Sequence, residues 1–503
     1  MTADSTQAPP VDGRWTAVAI VALALAAAVS ASAALPFAVL GALVLVGTAY
    51  AAYYWPRATI AGAALTTLLD PVVATRLLPE SLSAGPIGIS EPLLAVAGAT
   101  ALVATVRRRA VLIAIRDPTL ALVAIFIAVS VLSAVVNGTP ALVAAFGVVM
   151  TVDAIAIFIV WRALQPTEED GRRAIGAIVA GGVAVAIFGI GQVVLEPNLF
   201  GFARVASRPD DIGRITSFLG NPNIVASILA FVIPFALYAA IRLGDRRVRW
   251  LAAAAAFLLI VALILTFSRG AWIAAAAGLA IGTLLMDRRT LAMAVLLTVV
   301  AIGTIMVMPR HLGVSTEPLL TPEPSQQTSR PPAIAPTPRP DPLRGLTSEE
   351  VRLIWLRDGI EIIRDNPVLG VGPGRYGGAV AKIIPSPVYD EYSTTLGRLR
   401  TVHNFWLHLG GEVGVVGLAI FLTMVAALVF RFVRAARRAD GPRFVLLAGA
   451  ATAAIVVAIN NATEMLFEGN IPAVLIWLIF AVASMLAPDG RLGLVPIRRP
   501  ADT

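Results

Sequence analysis

The chain has three histidines in 503 residues, and one of them, His403, opens the apolar run His403-Asn404-Phe405-Trp406-Leu407-His408-Leu409-Gly410-Gly411-Glu412. An imidazole, with an unperturbed pKa of about 6.5, can take a proton from a hydroxyl near neutral pH when it stands at a water–lipid boundary. The plainer alternative is a structural histidine. His408 lies deeper in the same run and reads as a packing or hydrogen-bonding residue, and His311 lies in a proline-rich stretch. Arg269, in the turn Ser268-Arg269-Gly270 between two strongly apolar segments, is the second candidate. Burying a lone guanidinium there costs a few kcal/mol, which marks it as functional unless it snorkels to headgroup phosphates. Its planar fork suits bidentate contact with a pyrophosphate, and Arg352 can share such a clamp. Arg375 and Arg214 are further candidates for the same anion.

Gly372-Pro373-Gly374-Arg375-Tyr376-Gly377 formally fits G-x-G-x-x-G. It follows a helical pattern rather than a strand and precedes no βαβ unit, so a dinucleotide site is rejected. Two readings stay open: a loop whose backbone N–H groups and Arg375 meet phosphate, or a turn returning the chain to a hydrophobic layer.

The elements that must position these residues are membrane helices. With 58% hydrophobic and 14% charged residues, the chain lacks the charge of a soluble domain, and its apolar runs match the roughly 20 residues needed to cross a bilayer. The expected fold is an all-α polytopic membrane protein of about 12–14 helices. Spans are placed at 15–34, 36–55, 58–77, 87–106, 118–136, 140–162, 173–195, 222–242, 249–267, 270–286, 290–309, 404–432, 443–462 and 470–487. The span over 58–77 is weakened by Asp70 and Pro71, and 270–286 is short. Residues 15–33 read as a signal anchor or, given Ala31-Ser32-Ala33, a cleaved signal peptide.

The net charge of +8 could suggest nucleic acid, but position argues otherwise. Clusters at Arg107–Arg109, Arg172–Arg173, Arg246–Arg249, Arg288–Arg289 and Arg431–Arg438 fall on one side under a single parity, as the retention of Arg and Lys in cytoplasmic loops requires. Both termini are then cytoplasmic. Zero cysteines exclude disulfides and thiolate metal sites. The partition is a tail at 1–14, helices over 15–309, an outer segment over 310–402, helices over 403–487 and a tail at 488–503.

Within the outer segment, ten prolines between Pro309 and Pro342 predict a disordered or polyproline tether over 310–346. Residues 347–402 are expected to be ordered. Thr347-Ser348-Glu349-Glu350 has the form of a capping box opening a helix that Pro367 stops. Val351, Ile354, Trp355 and Ile362 recur at helical spacing opposite Arg357, Glu361 and Arg364. The stripe suits a helix on the outer membrane interface or one packed on other helices. Asp210 and Asp211, in a second and shorter outer segment at about 196–221, are an acidic pair that Arg208 and Arg214 can satisfy.

Taken in order, Gly220-Asn221-Pro222-Asn223, Ser268-Arg269-Gly270, Arg352 with Trp355, Asn366-Pro367-Val368-Leu369-Gly370-Val371-Gly372-Pro373-Gly374, and His403-Asn404 followed by Gly414-Val415-Val416-Gly417 resemble the O-antigen ligase/polymerase family of lipid-linked glycan transferases, from about Asn198 to Met485. The resemblance implies a GT-C-like architecture in the bacterial cytoplasmic membrane, with the site on the periplasmic or extracellular face. It also implies a metal-independent, cofactor-free, inverting transfer. The donor would be a glycan on polyprenyl (undecaprenyl) pyrophosphate and the acceptor a hydroxyl of a glycan, lipid or protein, with membrane lipids as surroundings and no nucleic acid. It places function on His403 as base and on Arg269 and Arg352 at the leaving group. Ligase and polymerase are not separated. The chain departs from the family in its longer proline-rich insertion and its higher span count. Rival readings are a lipid-linked glycan flippase or transporter, prompted by Asp70, Glu91, Asp153 and Glu464 in or beside apolar spans, and a non-catalytic scaffold.

Overall fold

The computed structural model describes residues 35–76, 90–106, 117–196, 198–199, 202–203, 214–307, 348–392, 402–468 and 471–487. The span expected at 15–34, the tether at 310–346, Thr347 and the Arg208–Asp211 group lie outside them. The described helices begin with α1 (Leu35–Tyr54), α2 (Pro56–Thr66), α3 (Asp70–Arg76), α4 (Ser90–Val106), α5 (Pro118–Val136) and α6 (Ala141–Val152). They continue with α7 (Ile155–Ala163), α8 (Glu168–Val194), α9 (Pro222–Arg242), α10 (Arg246–Leu265), α11 (Arg269–Met286) and α12 (Arg288–Val307). The last are α13 (Ser348–Asp365), α14 (Ala379–Ile383), α15 (Phe405–Ala436), α16 (Gly441–Asn460) and α17 (Ile471–Leu486). Among the described residues there is one strand pair, antiparallel, of β1 (Asn198–Leu199) with β2 (Phe202–Ala203).

This is a polytopic all-α membrane protein. Among the described residues seven helices are long and apolar enough to cross a bilayer, or eight if α6 and α7 are one span bent by 56°. The bend falls at Asp153, whose Oδ1 accepts a hydrogen bond from Ala154 N at 2.5 Å, so the run expected as one span over 140–162 divides there. The run over 58–77 also divides, into α2, a 3₁₀ turn at Thr67–Leu69 and α3. Asp70 then accepts from Ser90 N at 2.9 Å and from the Ser90 hydroxyl, tying α3 to the start of α4.

The centre of the bundle is α9 and α16, whose apolar windows are 83% and 78% buried, against 28–39% for the other five. Close approach makes this possible: a Cβ on Gly278 or Gly282 of α11 would sit 2.4 Å from Val456 or 2.2 Å from Thr452 of α16, the small-residue packing that lets membrane helices gain dispersion contacts. The bundle has a basic end. There Arg242 pairs with Asp287 at 2.7 Å, Arg437 donates to Leu285 O, and Arg431 and Arg162 both pair with the buried Asp117.

Candidate functional site

At the opposite end, the α13 segment folds back onto α15. The expected amphipathic helix forms, and it packs: Gly359 faces Leu407, and Trp355 and Ile362 pack with Tyr376 and Val402. Its Leu353, Leu356 and Ile360 stay exposed, so one helix presents a packed face and an apolar outer face suited to the interfacial layer. Beyond it, residues 367–372 run beside a break in α15 at Gly414 (φ 68°, ψ −176°). Val371 N donates to Gly411 O and Gly372 N to Glu412 O, both at 2.9 Å, while Val415 N donates to Pro367 O at 2.8 Å. The break frees carbonyls and N–H groups of α15, and the loop satisfies them. Val368 O would lie 2.2 Å from any Cβ on Gly414, so the glycine is required by φ and by contact.

The glycine loop is therefore a buried structural turn. Gly372 N, Arg375 N and Gly377 N are spent on Glu412 O, Gly372 O and Gly374 O, and Tyr376 N donates to Glu412 Oε1 at 3.4 Å. The N–H groups that the phosphate reading would use are in these cases bonded within the protein. Arg375 donates to Asn137 O at 2.6 Å, pairs with Glu391 and lies 5.5 Å from the Tyr392 ring centroid, and it does not line the cavity that holds His403.

That cavity, about 390 Å³, is lined by Arg352, Leu353, Leu356, Val402, His403, Asn404, Leu407, Ala462 and Thr463. Its geometry is built from a helix start. Asn404 caps α15 by accepting from Leu407 N at 3.1 Å, and Phe405 N donates to Asn461 O at 2.8 Å and Glu464 O at 3.1 Å. This fastens His403 to the turn after α16. His403 takes a left-handed φ of 46°, a conformation that costs a non-glycine residue about 1 kcal/mol or more and persists only when neighbours fix it. Two do. The imidazole stacks on Trp355 with ring centroids 4.9 Å apart, and its Nδ1 lies 3.8 Å from Glu464 Oε2, longer than a direct hydrogen bond yet close enough for charge to act.

Arg269 opens α11 and is exposed. Its neighbour Gly270 lies against Thr463, where an added Cβ would come within 2.3 Å of Oγ1, so the Arg269 turn abuts the same 461–464 turn that lines the cavity. Arg214 braces this arrangement, donating to Thr266 O at 2.8 Å and Asn223 Oδ1 at 2.5 Å. From Asn223 a polar chain runs through Ser227 and Asn460 to Thr463. The Gly220-Asn221-Pro222-Asn223 motif serves it directly: Gly220 is left-handed, Asn221 caps α9 and Asn223 receives Arg214.

Arg352 and His403 thus share one cavity, Arg269 adjoins it through Gly270, Arg214 braces its rim, and Arg375 is engaged elsewhere. Glu464 and Thr463 escaped the sequence reading as site residues. Glu464 shows there only as an acid beside an apolar span. His408 is buried with its Nε2 3.6 Å from both Glu412 Oε1 and Glu468 Oε2, a polar cluster inside the bundle rather than part of the cavity lining. Among the described residues no group of three or more His, Asp or Glu is arranged to hold a metal.

Comparison with known families matches residues 254–422 to the one described as O-antigen ligase. The matched segment contains Arg269, Arg352 and His403. No curated protein matches the chain.

Proposed function

From the premise that residues 254–422 carry an O-antigen ligase family segment, we propose that this multi-pass membrane protein is a glycosyltransferase acting on a polyprenyl-pyrophosphate-linked glycan at the His403 end of the bundle. That end faces away from the cytoplasm if the opposite, Arg-rich end obeys the positive-inside bias. His403 takes the proton of an acceptor hydroxyl through Nε2, because Nδ1 is the nitrogen turned toward Glu464. The hydroxyl oxygen attacks the anomeric carbon, the bond from that carbon to the pyrophosphate oxygen breaks with inversion, and the pyrophosphate departs against Arg269 and Arg352. Glu464 offsets the charge of the imidazolium formed, which then returns its proton to water. The two guanidiniums serve as the fixed positive charge for the leaving group, and no step draws on a metal or cofactor.

The observation that carries this reading is the common cavity of His403 and Arg352, with the Arg269–Gly270 turn against its Thr463 wall. Against a carrier, Asp70 accepts hydrogen bonds from Ser90 at the start of α4 and Asp153 accepts one from Ala154 N, so two of the four acids that prompt that reading hold helix ends. The test is transfer from a synthetic polyprenyl pyrophosphate donor in reconstituted vesicles containing EDTA. Wild type should form product; His403→Ala should lose about 10²- to 10⁴-fold and Arg269→Ala about 10²-fold or more. Unchanged product in both variants would sink the assignment, and lipid movement without product would favour a flippase. Offering a lipid acceptor and a glycan acceptor side by side separates ligase from polymerase.

A further inference from the structure

A groove of about 890 Å³ opens between α11, α15 and α16, with its mouth at the basic end, opposite the end that carries the His403 cavity. Its walls are aliphatic, with Leu422 and Val429 of α15 facing Ile455 of α16, and its mouth carries Arg434, Arg437 and Arg438. The three arginines differ from their neighbours. Arg431 and Arg242 at the same end are neutralised by Asp117 and Asp287. Among the described residues no acidic side chain pairs with Arg434, Arg437 or Arg438, and the one side-chain hydrogen bond they make is from Arg437 Nε to Leu285 O.

The groove's length and charge select an occupant. From Gly441, beside the arginines, to Ile455 α16 rises about 21 Å, enough to run the length of one leaflet's hydrocarbon, about 15 Å. An apolar slot of that length ending in three unneutralised guanidiniums fits a diacyl lipid whose headgroup is anionic, since basic pockets between helices at this depth hold phosphate headgroups. We infer that this groove binds an anionic glycerophospholipid of the leaflet at the basic end, its phosphate among Arg434, Arg437 and Arg438 and its acyl chains along Leu422, Val429 and Ile455. The site is independent of the glycan-transfer reading.

The test is native mass spectrometry of the full-length protein released from nanodiscs containing equal phosphatidylglycerol and phosphatidylcholine. Phosphatidylglycerol should be retained in preference. Arg434→Gln with Arg438→Gln should weaken its retention about 25-fold, about 5-fold for each charge, and Val429→Trp should displace it by filling the slot while leaving the arginines in place. Equal retention of the two lipids, or retention untouched by either variant, overturns the site. So does full displacement by inorganic phosphate, which would make it an ion site, by a polyprenyl phosphate, which would make it a carrier site, or a paired mass showing that a second copy fills the groove.

Discussion

The His403 imidazole lies nearly parallel to the Trp355 indole, ring centroids 4.9 Å apart and planes at 26°. Trp355 comes from α13 and His403 from the start of α15, so the stack is where the segment carrying α13 and the helical bundle fix each other. Such ring pairs contribute about 0.5–1.5 kcal/mol beyond area burial, and here that energy also holds a left-handed residue. Trp355→Ala should therefore lower kcat/KM about 3- to 10-fold. Trp355 Nε1 has no hydrogen-bond partner among the described residues, so Trp355→Phe, which keeps a ring and loses only that N–H, should stay within about 3-fold of wild type. Transfer kinetics of the two variants against wild type checks both.

Glu464 faces the nitrogen of His403 opposite the one assigned to the acceptor. Removing its charge while keeping its shape, in Glu464→Gln, should reduce kcat by about 10-fold with donor KM little changed, because the carboxylate acts on the charge that develops during proton transfer. Thermal unfolding in detergent should be unaltered, since the carboxylate makes no direct hydrogen bond to His403. A matched loss of stability and activity would instead make Glu464 a structural brace of the 461–464 turn.

Why some of this was readable from sequence and some was not follows from how far each signal reaches. Hydrophobic runs and basic clusters are local, so α5, α9, α10, α11, α15 and α16 fall close to the expected spans, and α13 forms where its apolar stripe begins. The bend at Asp153 is hidden because Val152 and Ala154 on either side are apolar, and a single acid does not announce a break. The fate of the glycine loop was equally hidden. G-x-G-x-x-G reports backbone freedom, and only the broken helix at Gly414 decides that this freedom serves packing. Arg269, Arg352 and His403 could be singled out because each is an unusual polar residue at an apolar boundary. Glu464 looks no different from Asp70 or Glu91 in sequence, and its proximity to His403 exists only because Phe405 N is bonded to the Asn461–Glu464 turn.

Gly270 and Thr463 give a test of that turn that does not touch a proposed catalytic group. A Cβ at position 270 would lie 2.3 Å from Thr463 Oγ1 and 2.9 Å from its Cβ, so Gly270→Ala must push α11 or the 461–464 turn aside, an overpacking cost of about 1–3 kcal/mol. Activity should fall with it, because Arg269 moves relative to Arg352 and His403. Adding Thr463→Ala removes the nearer clash and should recover part of both losses. The double variant should be less impaired than the sum of the single ones, a coupling that a double-mutant cycle measures; strict additivity would show that the two residues do not meet.

The basic end offers a prediction in pH. Asp117, the N-cap of α5, is 1% exposed. Burial by itself works to raise its pKa, but Arg431 at 3.0 Å, Arg162 at 3.1 Å and the hydrogen bond from Thr119 outweigh it and hold the carboxyl below its usual value of 3.8. A carboxylate with a depressed folded-state pKa contributes stability above the unfolded value, and that contribution fades as pH falls through the folded one. The protein's unfolding temperature should therefore be insensitive to this group from neutral pH down to about 4 and should drop below that. Asp117→Asn leaves two guanidiniums facing a neutral amide in a buried site, at a cost of about 3–5 kcal/mol, so its unfolding temperature at pH 7 should lie well below that of wild type. The gap between them should narrow as the pH falls below 4, because protonation of Asp117 brings the wild type toward the variant. A gap that stays constant across that range would mean that the Asp117 cluster holds the helix ends by hydrogen bonding alone.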